Sequence, residues 1–147
     1  MANAINWQAS PTNRSNVLTT ELNSLGNGSY SGVGTEIDNS TNLDQWGALL
    51  VNLASLNPTS GAYLQIYLVP ATDGTNYDDA PSSTNPGFDK IIAQVSLTTG
   101  SATKRVSTPW FRLPPTKFKF VLLNGSGVAL GASGNTVALY TDNDEIQ

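Results

Sequence analysis

The chain has 147 residues, of which only 12% are charged, and it contains neither histidine nor cysteine. This length is enough for one domain with a buried core, while the missing residue types exclude disulfides, thiolate metal sites and catalysis by Ser–His–Asp or Cys–His groups. The net charge of −4 argues against nucleic acid as a partner.

Serine, threonine and asparagine fill the polar positions, with 15, 16 and 15 copies, and there are 13 glycines and 8 prolines. This composition is typical of an all-β protein with many turns. Disorder is the competing interpretation of so polar a chain, but the apolar residues recur regularly and the net charge is small.

The first 15 residues are predicted to form an extended N-terminal arm, and residues 16–147 are predicted to form the folded domain. The arm has neither the basic segment nor the apolar segment of a secretory signal, and no window of the chain approaches the roughly 20 apolar residues of a membrane span. We therefore expect a protein that is not exported by the general secretory route and has no membrane partner. Ile5 and Trp7 pack either on the protein's own core or, with Arg14, against a neighbouring subunit, which makes these three the candidate inter-subunit contacts.

The first half of the domain is predicted to contain two strong strands. Residues 17–25 could form a short helix or a strand, and the two threonines in this stretch favour a strand. Residues 43–56 are apolar on both faces of a strand, as expected in the middle of a sandwich. Residues 62–69 alternate cleanly, and Pro70 either ends this strand or lies on a sheet edge. The sequence Asp73-Gly74-Thr75-Asn76 then predicts a turn.

The second half repeats this order of strand, polar turn and strand. Strands are predicted over residues 90–98, 102–113, 117–124 and 135–141, with the second of them broken at Pro109, and a polar tail follows. The chain therefore has about eight strands at spacings typical of an antiparallel β-sandwich. A jelly roll with an extended N-terminal arm is our first prediction for the fold, and another Greek-key sandwich is the second.

The charged residues are unevenly distributed along the chain. Residues 1–89 contain eight acidic residues and one basic residue, whereas residues 90–119 contain six basic residues and no acidic one. In one interpretation these charges only solvate the surface, where each ion pair contributes well under about 1 kcal/mol. In the other, an acidic face and a basic face meet between copies and steer assembly.

The carboxylates and glycines of the chain suggest three further kinds of site: a glycosidase pair, a calcium site and a phosphate-binding loop. A glycosidase pair is conceivable among Asp73, Asp78, Asp79 and Asp89, but these residues lie in turns, where aspartate is expected anyway. Calcium could be held by Asp73, Asp78 and Asp79 or by Asp142, Asp144 and Glu145, although neither group has EF-hand spacing. The glycine-rich stretch over residues 125–134 lacks the lysine of a phosphate-binding loop. We therefore predict no enzyme and no cofactor.

Three segments together carry a resemblance to a known family. They are GTEIDNSTNLDQW, PTSGAYLQIYLVPATDGTNYDD and LPPTKFKFVLLNGSGVALGASGNTVALYT, which cover about residues 34–141. The chain resembles a group of small structural proteins of tailed bacteriophages, the cement or decoration proteins. The resemblance implies a jelly-roll body, an extended arm and no active site. It also implies a position on the outer surface of the capsid, contact with the major capsid protein, homotrimers, and assembly in the host cytoplasm.

Two alternative functions remain open at this stage. A carbohydrate-binding β-sandwich would stack sugars on exposed aromatic rings, for which the candidates are Trp7, Trp46, Trp110, Tyr63, Tyr67 and Tyr77. Such a platform needs at least two coplanar exposed rings. A tail or baseplate component of a bacteriophage is the second alternative.

Overall fold

The computed structural model describes residues 5–7, 11–78 and 84–146. These residues form β-strands and two short 3-10 turns, Thr20–Leu22 and Phe88–Lys90. The strands are β1 Ile5–Trp7, β2 Thr12–Leu18, β3 Ile37–Asp38, β4 Trp46–Leu56, β5 Tyr63–Ala71, β6 Ile91–Ser96, β7 Ala102–Ser107, β8 Phe111–Arg112, β9 Lys117–Gly125, β10 Thr136–Asp142 and β11 Asp144–Ile146. In the described ranges, no helix has the length and apolar character needed to span a membrane.

Nine of these strands form two antiparallel sheets, which confirms the predicted β-sandwich. The five-stranded sheet has the order β2-β10-β4-β7, with β8 also paired to β4, and the four-stranded sheet has the order β3-β9-β5-β6. The chain crosses repeatedly between the two sheets, and β5 and β6 are the only consecutive strands that pair among those described. This order of strands is that of a jelly roll.

The main core lies between the two sheets and follows the predicted alternation of apolar residues. On β9, Phe118, Phe120 and Leu122 are fully buried, and the rings of the two phenylalanines meet edge to face with centroids 5.5 Å apart. On β4, Leu49 and Val51 point into the same core. On β9 the buried residues are those that the alternation predicts to face inward, whereas β4 is apolar on both faces and its sequence did not distinguish the inward side.

A second, smaller apolar cluster covers the outer face of the four-stranded sheet. Tyr67, Val69 and Val121 are buried on that face under residues from the segments before β3 and after β5. Tyr30 forms a bridge to Leu123 and packs edge to face on Tyr67 with ring centroids 5.8 Å apart. The chain therefore covers this sheet on both sides with its own residues.

The two ends of the chain differ from the sequence-based prediction. Strand β2 begins at Thr12, so residues 12–15, which we assigned to the arm, pair with β10 in the five-stranded sheet. The sequence of β2 is polar because most of its side chains are exposed on an edge strand, and alternation therefore could not reveal it. The predicted polar tail contains β11, which pairs antiparallel with β1.

Candidate docking face

The outer face of the five-stranded sheet differs from that of its partner sheet because it presents apolar side chains to solvent. Ala48 and Leu50 of β4 are half-buried on this face, opposite Tyr140 and Ala138 of β10. Residues directly opposite each other in an antiparallel pair share a face, so these four side chains lie on one face, on which Ala138 is buried and the other three are half-buried. We call it the docking face.

A groove of about 340 Å³ crosses the docking face. Its floor is Ala48 and Leu50, and its sides include Tyr140 and Trp110. Trp110 lies in the connection between β7 and β8, and its side chain is 39% exposed. Further lining residues are Pro11, Leu49, Arg105, Ser107 and Thr108. The volume lies at the lower end of the range for sites that hold a ligand or a partner's side chain.

Arg105 supplies a positive charge at the edge of this groove. Its side chain is exposed, and within the described ranges it forms neither an ion pair nor a side-chain hydrogen bond. The other six cationic side chains contact groups of the same chain. Those contacts are Arg14 with Asp44, Lys90 with Asp78 and Asp89, Lys117 with Glu36, Lys104 with the Gly100 carbonyl, Lys119 with Tyr77, and Arg112 with Trp46. Arg105 is therefore the cation that remains available to a partner.

A cation–π contact between Arg112 and Trp46 lies at the start of β4. The guanidinium of Arg112 stacks over Trp46, 4.4 Å from the ring centroid. The indole N–H of Trp46 donates to the carboxylate of Asp144 over 3.4 Å. Trp46 therefore connects the five-stranded sheet to the terminal strand β11.

Arg14, one of the three predicted inter-subunit residues, forms its contacts within its own chain. Its guanidinium donates to both carboxylate oxygens of Asp44 over 2.6 and 2.7 Å and to the hydroxyl of Thr141 over 3.1 Å. The hydrogen bond to Asp44 raises the pKa of Arg14. Arg14 thus joins β2 and β10 to the turn that precedes β4.

Ile5 and Trp7, the other two predicted contacts, lie in the two-stranded ribbon of β1 and β11. Ile5 is paired with Ile146 and Trp7 with Asp144. This ribbon continues the β2–β10 pair, because β11 follows β10 after the single residue Asn143. The contact of these three residues with a neighbouring subunit stays a prediction.

The carboxylates considered for catalysis or calcium are engaged in local contacts. Asp73 accepts hydrogen bonds from the backbone N–H groups of Thr75 and Asn76 over 2.8 and 2.7 Å, and the bonds from Asn76 contribute most to lowering the pKa of Asp73 to about 2. Asp78 and Asp89 both pair with Lys90. Asp79 and the side chain of Glu145 lie outside the described part of the chain. No cluster of three or more potential metal ligands was found among the described side chains.

The aromatic residues considered for a sugar-binding platform do not all lie on one surface of the structure. Tyr67 is completely buried, and its hydroxyl donates to Gln65 over 2.7 Å. The hydroxyl of Tyr77 donates to the carboxylate of Glu36, while the ammonium group of Lys119 lies over the Tyr77 ring. Of the aromatic residues named from the sequence, Trp46 and Trp110 lie on or beside the docking face.

Tyr140 is a residue of the docking face that sequence reasoning missed. In the sequence it is one member of the strand predicted over residues 135–141, and its outward side was not singled out. Its position became clear only from the register, which places it opposite Ala48 on β4. The signal that could have identified it is the alternation with the buried Leu139.

No protein-family model matches the sequence, and no curated protein is significantly similar to it.

Proposed function

We propose that this chain is a structural protein of a bacteriophage virion. In this proposal it is a cement protein that binds the outer surface of the head and bridges neighbouring subunits of the major capsid protein. It acts by binding alone, as a homotrimer on a shell assembled in the host cytoplasm. The observation that carries the proposal is the docking face, where an apolar groove lies beside Arg105, which has no ion-pair partner among the described residues.

The residue types of the docking face favour a protein partner. Tryptophan, tyrosine and arginine are enriched at protein interfaces and contribute most of their binding energy. The groove is lined by one residue of each type, Trp110, Tyr140 and Arg105, together with the smaller apolar side chains of Ala48 and Leu50. The exposed guanidinium of Arg105 further favours a partner surface that presents a carboxylate.

The contrast between the two sheets supports the same interpretation. On the outer face of the four-stranded sheet, Tyr67 is buried and Tyr30 and Tyr77 pack against it in a second core, while Tyr63 is half-buried. The five-stranded sheet presents Tyr140 outward at the groove, with Trp110 beside it. A bridging protein needs only modest affinity at each contact, because many copies bound to one shell act together.

Binding to heads that lack the protein tests the proposal directly. Purified protein is mixed with empty heads of its phage that have been assembled without it, and the bound fraction is measured after sedimentation. We expect saturable binding to the heads, and an electron-microscopy difference map that places the density on the outside of the shell. Sedimentation velocity of the free and the bound protein measures whether it is a trimer.

Two matched pairs of variants connect this binding to the docking face. Trp110→Ala should weaken binding at least about tenfold, whereas Phe88→Ala, which truncates a ring that is 80% exposed elsewhere, should not. Arg105→Gln should weaken binding, whereas Gln94→Glu changes the net charge equally at an exposed site on β6 and should not. A wild-type protein that never binds heads, or that labels only tails, would contradict the proposal.

A glycan-binding role is a second candidate, and one observation favours it. Trp110 and Tyr140 lie together at the same groove, where aromatic rings could stack on a sugar. A glycan microarray with the wild-type protein tests this role. Binding that Trp110→Ala abolishes, combined with no binding to heads, would replace the cement proposal with this one.

A further inference from the structure

A groove of about 530 Å³ runs beside β7, at the edge of the five-stranded sheet. We call it the edge groove. Its lining is one continuous segment, residues 98–106, which connects β6 to β7 and continues into β7. This segment supplies two cationic side chains, no carboxylate, and the hydroxyl groups of Thr98, Thr99, Ser101 and Thr103. The edge groove has the volume of a ligand site, and its lining is rich in positive charge and hydrogen-bond donors.

Lys104 is the unusual residue of this lining, because its side chain is only 7% exposed. It lies directly opposite Leu53 of β4, a residue of the main core, so its aliphatic part points between the two sheets. Its ammonium group donates to the carbonyl of Gly100, which also lines the edge groove, over 2.7 Å. This bond uses one of the three ammonium donors, and no carboxylate pairs with Lys104 in the described ranges. Lysine is rarely buried unless it is paired, so this charge needs an explanation.

Arg105 brings a second cation to the edge groove from the opposite face of the sheet, because consecutive side chains of a strand alternate. The backbone of β7 adds a donor between the two cations. The backbone N–H of Thr108 donates to the carbonyl of Leu49 on β4 over 3.0 Å. Since the N–H groups of an antiparallel strand alternate in direction, the N–H of Arg105 points away from β4 and towards the edge groove.

The surroundings of the edge groove contain few negative charges, although the whole chain has a net charge of −4. The sequence has no acidic residue from Lys90 to Thr141, and β4, the strand paired with β7, has none either. The uneven distribution of charge along the chain thus leaves this edge of the sheet positive. An anion is attracted to such a site.

We propose that the edge groove binds a phosphate group. Two cations match the charge of about −1.5 to −2 on a phosphomonoester at neutral pH, and the hydroxyl and backbone donors suit its three terminal oxygens. Free phosphate and a small phosphomonoester share this chemistry, and the volume of the edge groove leaves room for the organic part of the ester. The inference does not rest on the proposed cement function. Arg105 lines both grooves, whereas Lys104 lines only the edge groove and Trp110 only the groove of the docking face.

Titration with glycerol phosphate, followed by the amide chemical shifts of the isotopically labelled protein at low ionic strength, tests the proposal. We expect saturable one-to-one binding, with the largest shifts in residues 98–106. Glycerol, which lacks the phosphate group, should cause no such shifts. A parallel titration with inorganic phosphate identifies the source of the group: tighter binding of the ester assigns the site to a phosphomonoester, and equal or weaker binding of the ester assigns it to free phosphate.

Three variants connect binding to the two cations. Lys104→Met keeps the apolar part of the side chain and should weaken binding of glycerol phosphate at least about tenfold, while the melting temperature stays close to that of the wild type. Arg105→Gln should also weaken it. Lys119→Gln changes the net charge equally, but removes a cation that lies over Tyr77 and outside the edge groove, and should bind like the wild type.

The remaining outcomes separate this proposal from non-specific attraction and from the cement function. Shifts spread over all the cationic residues, or equal losses in Lys104→Met and Lys119→Gln, would overturn the site, as would the absence of saturable shifts in the wild type. If Lys104→Met fails to fold, the shift map of the wild type and the affinity of Arg105→Gln decide. Lys104→Met should still bind heads, and Trp110→Ala should still bind glycerol phosphate, so either proposal can fail without the other.

Discussion

Arg14 and Asp44 connect the edge strand β2 to the turn before β4 through two hydrogen bonds of 2.6 and 2.7 Å. The side chain of Asp44 is only 6% exposed, whereas that of Arg14 is 30% exposed. A buried carboxylate requires a compensating charge or several donors, and Arg14 supplies the charge for Asp44. The same pair therefore fixes the turn before β4.

Replacing Arg14 should destabilise the fold. Arg14→Met leaves Asp44 buried without its charged partner, and since the arginine is partly solvated we expect a loss of about 2 kcal/mol in the free energy of unfolding. Urea unfolding followed by circular dichroism measures it. Arg105→Met, which removes a cation without an ion-pair partner among the described residues, is the matched control and should change stability by less than about 0.5 kcal/mol. Equal stability of the two variants would contradict the assigned role of Arg14.

The alternation of apolar residues predicted the strands that have one face in the main core. Phe118, Phe120 and Leu122 alternate with outward lysines, and β9 has this pattern in the structure. Pro70 was expected to end β5 or to lie on an edge, and it lies where β6 no longer pairs with β5. These features depend on local periodicity and on turn chemistry, which the sequence expresses directly.

The features that the sequence did not reveal depend on contacts between distant segments. Residues 17–25 were favoured as a strand, but β2 ends at Leu18 and a 3-10 turn follows. Ile37–Asp38 pairs with β9 as β3, and this two-residue strand is too short to show an alternation of its own. The cover over Tyr67 and the groove beside Tyr140 arise from strand order and register, which no local pattern specifies.

The negative charge of Asp73 should make stability depend on pH at the acidic end. Its pKa is lowered to about 2, chiefly by hydrogen bonds from Asn76, whereas the pKa of an aspartate in the unfolded chain is about 3.9. The stabilising contribution is therefore complete above the unfolded pKa and is lost as the pH falls towards 2. Asp73→Asn, which keeps an acceptor for the turn, should reduce the fall in melting temperature between pH 5 and 2.

Thermal unfolding of the two proteins across this pH range measures the difference. Part of the pH dependence should remain in Asp73→Asn, because hydrogen bonds also lower the pKa values of Glu36, Asp38 and Asp89. Thr72→Ala, at an exposed neighbouring position, should retain the wild-type profile. Identical profiles for the wild type and Asp73→Asn would show that the carboxylate does not stabilise the folded turn.

Two N-terminal truncations should separate the arm from the sheet. Removing residues 1–10 deletes Ile5, Trp7 and the three-residue pairing of β1 with β11. A ribbon this short contributes little stability by itself, so the free energy of unfolding should change by about 1 kcal/mol or less. Removing residues 1–15 also deletes Arg14 and over half of β2, which leaves Asp44 without its charged partner and part of the edge of β10 unpaired. We expect that truncation to cost at least about 3 kcal/mol.

Binding of the shorter truncation to heads then tests the predicted role of the arm. If Ile5 and Trp7 contact a neighbouring subunit, the protein without residues 1–10 should stay folded and bind heads more weakly, and Trp7→Ala should produce a smaller loss of the same kind. Only the shorter truncation is informative here, because the longer one damages the sheet that carries the docking face. Unchanged binding per folded molecule would show that the arm does not attach the protein to a neighbouring subunit and is therefore not a tether. Unfolding on removal of residues 1–10 would show instead that the ribbon is an integral part of the domain, since a tether orders only where a partner supplies the missing backbone hydrogen bonds.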